Sequence, residues 1–308
     1  MAQRVLERRW RPSWPLDLAT TLAPLVRGDG DPTTRLVGAG GAAEAWRATR
    51  TPDGPATVHY RREGDALRIR AWGPGADLEL ELAPRLLGDG DDPAGFDADA
   101  HPVVAEAYRR YGAGWRVTRT ERVLEALLPA VLEQRVTGLE ARRAWRWLTR
   151  RHGEPAPGPG GLVIAPDAAG WAAIPSWDWH RAGVDAGRAT AAVRAASRAG
   201  ALERLSHVAP AEASVALQSL PGIGRWTAAE VAVRAWGDVD AVSFGDFHVA
   251  RNVVHALTGR RDGTDAQLAE LLQPWAGQRA RAVRLIELHC GPMPRRAPRA
   301  AVTDHRRW

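Results

Sequence analysis

The sequence predicts an α+β protein, in which a small α/β domain precedes a larger, mostly α-helical domain. Apolar and polar residues alternate in the first third of the chain, and from Pro102 onward apolar residues recur at helical spacing. A length of 308 residues allows about two domains. A turn-rich stretch at 88–95 predicts the boundary between them. We therefore assign residues 1–95 to the first domain and residues 96–290 to the second.

Three segments of the first domain alternate as β-strands do. Segments 56–61 and 67–71 flank the turn residues Glu63-Gly-Asp65, which predicts a β-hairpin. Segment 77–82 alternates leucine with acidic residues and predicts a third strand. The sequence therefore predicts a small sheet at the start of the chain.

The second domain shows the periodicity of helices. The apolar residues of the first helical segment are Leu124, Leu127, Leu128, Val131 and Leu132. Shorter helices are expected around 185–199 and 211–219, and a Pro/Gly-rich stretch at 152–161 separates them from the first segment. Residues 291–308 are rich in proline and arginine and are expected to form a disordered tail.

The composition limits the classes of function. Lone Cys290 excludes an internal disulfide, and it equally excludes an iron–sulfur cluster held by four thiolates of this chain. The nine histidines show no metal-ligand spacing. Because there is neither a run of about 18 apolar residues nor a signal peptide, we expect a cytoplasmic, nucleoid-associated protein without a membrane span.

All 42 basic residues are arginine, and the net charge is +6. Arginine binds phosphate bidentately and stacks on bases, which favours a polyanionic partner. A codon-biased, GC-rich genome is the simpler explanation for the choice of arginine over lysine. Either way, the chain has no lysine side chain that could form a Schiff base.

The segment Leu220-Pro-Gly-Ile-Gly-Arg-Trp-Thr-Ala-Ala229 carries the strongest functional signal. Gly222 and Gly224 permit positive φ and close backbone approach, and a helix is predicted to begin directly after them. Free N–H groups at the start of that helix can bind a phosphate. A helix end followed by a simple turn would show the same glycines. A carboxylate, Asp246, follows 22 residues after Gly224, at the predicted start of another helix.

Together with segments 127–137, 183–189 and 273–275, the hairpin and Asp246 resemble the helix-hairpin-helix DNA glycosylases. The resemblance is to the bacterial 3-methyladenine DNA glycosylase II family and covers roughly residues 100–290. It implies a helical domain in two halves that flank a cleft, preceded by an extra N-terminal domain. It also implies that Asp246 is the catalytic carboxylate, although Asp246 could equally serve as a helix cap.

The resemblance implies roles for further residues. It places Trp226 and Trp275 in the base pocket with Glu230, at a position where the family member compared has an aromatic residue. The positions that match DNA contacts are Gly222, Gly224, Arg225, Thr227, Gln134 and Arg135. Arg135 matches the wedge that fills the stack after base extrusion, although an exposed arginine is also simply solvated.

Three backbone carbonyls of the hairpin match the positions at which the family holds a monovalent cation, Na⁺ or K⁺. They belong to Gln218, Leu220 and Ile223. Such an ion would complete a phosphate clamp and take no part in bond cleavage. No cofactor is expected for the chemistry itself.

The resemblance implies base excision from damaged double-stranded DNA, and we expect a monomer. Relatives that also cleave the sugar–phosphate backbone carry a lysine where this chain has Trp226. The expected reaction is therefore monofunctional hydrolysis that leaves an abasic site. The absent four-cysteine cluster points away from the endonuclease III and adenine-mismatch branches. Two alternatives are a non-catalytic helix-hairpin-helix DNA-binding module and a glycosylase/lyase for oxidised bases.

Overall fold

The N-terminal part of the protein is a five-stranded antiparallel sheet with strand order β1-β5-β4-β3-β2. The computed structural model describes residues 4–38 and 44–293. The strands are β1 (Val5–Trp10), β2 (Thr34–Val37), β3 (Glu44–Thr51), β4 (Gly54–Glu63) and β5 (Ala66–Trp72). The predicted hairpin is confirmed as β4 and β5, which pair from Thr57 opposite Trp72 to Glu63 opposite Ala66.

The prediction of a strand at 77–82 is wrong, because these residues lie in helix α2 (Ala76–Leu86). Asp77 and Glu79 occupy the first turn of the helix, where carboxylates interact favourably with the helix dipole. Glu79 is nevertheless buried, since Arg47 and Arg122 both donate hydrogen bonds to its carboxylate. These tertiary ion pairs bury a position that the alternation assigns to solvent, and α2 packs against β1, β4 and β5.

Most helices follow the sheet and pack around two separate cores. The first core is built from α4 (Val123–Glu133), α5 (Gly138–His152), α6 (Ala168–Ala173), α7 (Ser176–Arg181), α8 (Ala186–Ala196), α9 (Ala199–Glu203), α10 (Pro210–Gln218) and α11 (Arg225–Val231), which a wide turn extends to Trp236. The second is built from α3 (Pro102–Ala107), α12 (Val249–Thr258), α13 (Asp265–Leu271) and α14 (Arg279–Cys290). The α+β class is confirmed.

Three short elements complete the architecture. Helix α1 (Leu18–Leu22) packs against β3, and strands β6 (Glu154–Pro155) and β7 (Val163–Ile164) form a small ribbon between α5 and α6. No helix in the described ranges is long and apolar enough to cross a membrane.

Polar contacts join the sheet to the first helical group. Arg47 of β3 pairs with Glu125 of α4 at 2.5 Å, and the Trp145 indole of α5 donates to Asp31 at 3.1 Å. The boundary near residue 95 stays a prediction. Stretch 88–95 itself is anchored to α14, because buried Asp91 pairs with Arg281. Of the predicted tail, residues 294–308 lie outside the described residues.

Candidate active site

The hairpin between α10 and α11 has the tight backbone that its glycines predict. Gly222 has a φ of +96°, and a Cβ atom at this position would lie 2.8 Å from the Cβ of Ala191. Both facts favour glycine here. Gly224 is extended and faces open space, so its backbone is accessible directly before α11. The first N–H groups of a helix have no intrahelical acceptor and can therefore meet a ligand.

Asp246 lies between the two helical groups, in the segment that leads from α11 to α12. The Trp226 indole N–H donates to Asp246 Oδ2 at 3.0 Å. Oδ1 accepts the backbone N–H groups of His248 at 2.6 Å and Val249 at 3.0 Å. Asp246 therefore caps the start of α12 and at the same time directs an oxygen toward the hairpin helix. Trp226 and Asp246, which are 20 residues apart, are brought into direct contact.

Glu230 lies one turn after Trp226 and is neutralised by an arginine. Arg234 Nη1 donates to Glu230 Oε2 at 2.7 Å, and the Ser243 hydroxyl donates to Oε1. Burial raises the pKa of Glu230, but Arg234, Ser243 and Arg27 together lower it below its ordinary value. The carboxylate is thus ionised and paired.

Glu287 of α14 is a second carboxylate near the site that sequence reasoning missed. Burial raises the pKa of Glu287, and the negative charges of Glu230 and Asp246 raise it further. The positive charge of Arg284, whose Nη1 lies 3.7 Å from Glu287 Oε2, acts in the opposite direction. No motif marks Glu287 in the sequence, because only the packing of α14 brings it there.

The turn between α4 and α5 lies against the hairpin. The Gln134 side-chain amide donates to the Gly222 carbonyl and to the Thr227 hydroxyl, both at 2.9 Å. The next residue, Arg135, is exposed and has a φ of +54°, a conformation that costs a non-glycine residue free energy. The structure thus joins Gln134 to the hairpin and presents Arg135 beside it. The DNA contacts themselves stay predictions.

The N-terminal loop that contains Pro24 and Arg27 packs against the turn between α4 and α5. Arg27 donates to Glu133 at 3.2 Å, and the Arg27 side chain is buried. The Pro24 carbonyl accepts a hydrogen bond from Arg234 Nε at 3.1 Å. The sheet domain therefore contributes directly to the layer under Asp246 and the hairpin, which the sequence did not indicate.

Two of the predicted DNA contacts are already engaged within the protein. Arg225 pairs with Asp265 at 2.9 Å, and its guanidinium lies 5.0 Å from the centre of the Phe244 ring. Thr227 is buried, and its hydroxyl accepts a hydrogen bond from Gln134. A phosphate at this helix would compete with Asp265 for Arg225.

Trp275 lies in the second helical core. Its side chain is 3% exposed there, and its indole donates to the Asp97 carbonyl at 2.6 Å. The indole thus satisfies its one donor internally, and a role in the base pocket stays a prediction. Phe247, which directly follows Asp246, is instead 67% exposed and stacks under Arg251 at 4.3 Å. The structure thus places an exposed aromatic side chain beside the carboxylate, a position that the sequence does not mark as exposed.

The three carbonyls predicted to hold a cation lie at the hairpin turn. The Leu220 carbonyl accepts the Ile223 N–H at 3.0 Å, which leaves its second lone pair for another partner. Gln218 is the last residue of α10, where carbonyl groups lack intrahelical donors. A cation at this site stays a prediction.

A cavity of about 640 Å³ lies elsewhere, between β3, α4 and α9. Its lining includes Arg47, Glu125 and Trp171 but neither Asp246 nor Trp226. A base pocket must open onto the reacting carboxylate. We therefore assign the candidate site to the surface around Asp246.

Comparison with solved structures places this arrangement among known folds. A 3-methyladenine DNA glycosylase from Archaeoglobus fulgidus superposes with a TM-score of 0.75 at 20% identity, over 91% of this chain and 97% of that one. An 8-oxoguanine glycosylase/lyase from Clostridium acetobutylicum gives 0.70 at 12% identity, over 94% and 100%. Mag1, a 3-methyladenine DNA glycosylase of Schizosaccharomyces pombe in complex with abasic DNA, gives 0.51 at 16%, over 62% and 92%.

The sequence by itself matches no protein-family model and no curated protein at a significant level. The structural likeness nevertheless extends over nearly the whole chain, including the N-terminal sheet. This protein therefore has the fold of the helix-hairpin-helix DNA glycosylases.

Proposed function

We propose that this protein is a monofunctional DNA glycosylase that removes alkylated bases of the 3-methyladenine type from double-stranded DNA. The observation that carries the proposal is the hydrogen bond from the Trp226 indole N–H to Asp246 at the hairpin, which places a carboxylate next to an aromatic side chain. The likeness to glycosylases of both alkylated and oxidised bases supports the reaction class. The base preference rests on the site.

Asp246 is the catalytic carboxylate in this proposal. Cleavage of the bond between base and sugar passes through an oxocarbenium-like state, whose positive charge a nearby carboxylate stabilises. No arginine in the described ranges pairs with Asp246, so its negative charge is available for that state and for orienting the attacking water. Water attacks the anomeric carbon and gives a proton to the Asp246 carboxylate, the base leaves with the bonding electrons, and an abasic site remains.

The absence of lysine supports a reaction without strand cleavage. The residue at the step where a lyase would carry its amine is Trp226, and the chain contains no lysine side chain for a covalent imine. A cationic alkylated purine leaves readily and is attracted by an indole face. Because Glu230 is paired with Arg234, the attraction for a cationic base falls on Trp226 and Asp246.

In this proposal, Arg135 enters the base stack, and the hairpin backbone, Arg225 and Gln134 hold the phosphates of the damaged strand. The carbonyls of Gln218, Leu220 and Ile223 hold a structural monovalent cation. No cofactor takes part in the chemistry, and the protein acts as a monomer.

A second candidate, a DNA-binding module without turnover, is favoured by one observation. Asp246 accepts two N–H groups at the start of α12, which is a sufficient structural reason for an aspartate at this position. This candidate predicts binding of damaged DNA without release of any base.

A panel of single-lesion duplexes tests the proposal. The lesions are 3-methyladenine, 7-methylguanine, hypoxanthine and 8-oxoguanine, each incubated with excess enzyme and analysed with and without alkali. We expect release of the methylated purines and strand breaks only after alkali. Breaks without alkali would show a lyase, and binding without release from any duplex would show the non-catalytic module.

A further inference from the structure

Helix α5 carries an arginine-rich face that the candidate active site does not use. Its arginines are Arg142, Arg143, Arg146, Arg150 and Arg151. None of the five pairs with a carboxylate in the part of the chain that the structure describes, and all but the partly buried Arg146 are exposed. Arg143, Arg146, Arg150 and Arg151 line a shallow groove of about 490 Å³ with Trp147.

Exposed arginines elsewhere on the surface differ from one another: some are paired, whereas others, such as Arg198 and Arg251, have no carboxylate partner among the described residues. Exposed arginines such as Arg85, Arg109 and Arg260 each have a carboxylate partner. In α5 the one acidic residue, Glu140, belongs to the capping box with Thr137 at the helix start. Positive charges four residues apart, as at 142, 146 and 150, repel one another and destabilise a helix. An anionic partner along this face would remove that repulsion.

The five arginines form two rows on the helix. Arg142 and Arg146 lean on Gly28 and Gly30 of the N-terminal loop, and Arg150 donates weakly to the Gly30 carbonyl at 3.5 Å. The second row, Arg143 and Arg151, makes no such contact and is open to solvent. A macromolecular anion can therefore reach the second row directly.

The position of α5 indicates which anion. The helix begins at Gly138, three residues after Arg135, so it leads directly away from the predicted wedge. With a rise of 1.5 Å per residue, Arg143 and Arg151 lie about 12 and 24 Å from Arg135 along the chain. Base pairs in a duplex are spaced by about 3.4 Å, so the two arginines lie about four and seven pairs from the wedge position, and the row between them spans about four pairs.

We propose that the α5 arginine face, Arg143 and Arg151 above all, binds phosphates of the DNA duplex on one flank of the damaged base. This inference rests on the proposed DNA function and extends its footprint beyond the hairpin. The face is a positioning surface: it holds the duplex in register and touches no reacting atom.

The test compares two double variants that each remove two positive charges. Arg143→Gln/Arg151→Gln alters the face, whereas the matched control Arg109→Gln/Arg110→Gln alters two exposed arginines after α3. Dissociation constants are measured on an undamaged 30-base-pair duplex at several salt concentrations. We expect the face variant to bind about tenfold more weakly and to reduce the salt slope by about two, while the control stays within twofold of wild type.

Duplexes with an abasic-site analogue near one end locate the contact. The face variant should lose affinity on the duplex extended to one side of the analogue and not on the duplex extended to the other. Equal losses on both, equal losses in the control variant, or no loss would overturn the inference. Affinity for a single-stranded RNA is measured in parallel. If the face variant lost affinity for the RNA and not for the duplexes, the face would bind RNA and the inference would be overturned.

These outcomes are distinguishable from failure of the proposed glycosylase activity. Binding to undamaged DNA does not depend on base release, so an inactive protein can still confirm the α5 face. A wild-type protein that binds none of the duplexes would overturn both proposals.

Discussion

Asp246 and Glu230 lie close together at the hairpin helix, yet the protein surrounds the two carboxylates differently. Asp246 accepts three neutral N–H donors, from Trp226, His248 and Val249. Glu230 faces a guanidinium, Arg234, and lies in a layer of charges that continues to the N-terminal loop. The charge of Asp246 is therefore not neutralised by a cation, whereas the charge of Glu230 is neutralised in an ion pair with Arg234.

The difference indicates that the carboxylate at the surface of the candidate site and the partly buried carboxylate beneath it have different roles. Neutral donors orient a carboxylate without cancelling its charge, whereas an arginine cancels the charge and fixes the position. In the proposed mechanism, the charge that stabilises the oxocarbenium-like state is therefore that of Asp246. The ion pairs of Glu230 with Arg234 and of Arg27 with Glu133 lie beneath the hairpin and the turn between α4 and α5 and fix their positions.

The largest expected effect comes from Asp246→Asn, which tests the catalytic half of this comparison. The asparagine oxygen can still accept the N–H groups of His248 and Val249, so the cap and the fold should be preserved. Loss of the charge should lower the single-turnover rate of base release by about 10³-fold. Thermal unfolding and DNA affinity should remain close to wild type.

The matched control is Asp262→Asn, which removes the same charge from an exposed aspartate paired with Arg260. Its rate should stay within about twofold of wild type, since exposed pairs contribute little. Undiminished release by Asp246→Asn would remove Asp246 from the mechanism and leave only its role as a helix cap.

The sequence indicated the features of this site that depend on neighbouring residues. The glycines predicted a tight turn, and Gly222 has the positive φ that such a turn requires. Asp246 lies only 20 residues from Trp226. The hairpin of β4 and β5 has the same local character, because alternation and a turn specify it.

Contacts between distant segments could not be read in the same way. Arg27 meets Glu133 across 106 residues, and nothing distinguishes these two residues among 42 arginines and 36 acidic residues. The strand predicted at 77–82 is wrong for a related reason, since the ion pair that buries Glu79 in helix α2 joins segments that local alternation does not connect. Aromatic residue type was also insufficient, because a core and a base pocket both suit Trp275.

A smaller effect is expected from Glu230→Gln, which tests the structural half of the comparison. The change leaves the largely buried Arg234 without its anionic partner and should lower the free energy of unfolding by about 2 kcal/mol at neutral pH. The exposed pair of Glu106 with Arg109 gives the control, because Glu106→Gln should cost less than about 0.5 kcal/mol. Urea unfolding measures both.

The pH dependence of that loss has a definite sign. The pKa of Glu230 is lowered in the folded protein from an ordinary value of 4.5, so its ionised form stabilises the fold above that value. This stability is lost as the pH falls through the folded-state pKa. The difference between wild type and Glu230→Gln should therefore be full at pH 7 and shrink in acid. A difference that is the same at both ends would contradict an ionised, paired Glu230.

The smallest effect should follow Trp226→Phe, which separates the two uses of the indole. Phenylalanine keeps an aromatic face for the base but removes the N–H that donates to Asp246 Oδ2. A lost hydrogen bond to a carboxylate is worth about 1.4 kcal/mol, so base release should slow about tenfold while DNA affinity is unchanged. Trp177→Phe, at an exposed tryptophan, is the control and should behave as wild type. If Trp226→Phe released bases at the wild-type rate and only Trp226→Ala slowed, the indole would act through its face alone, and two backbone N–H groups would suffice to orient Asp246.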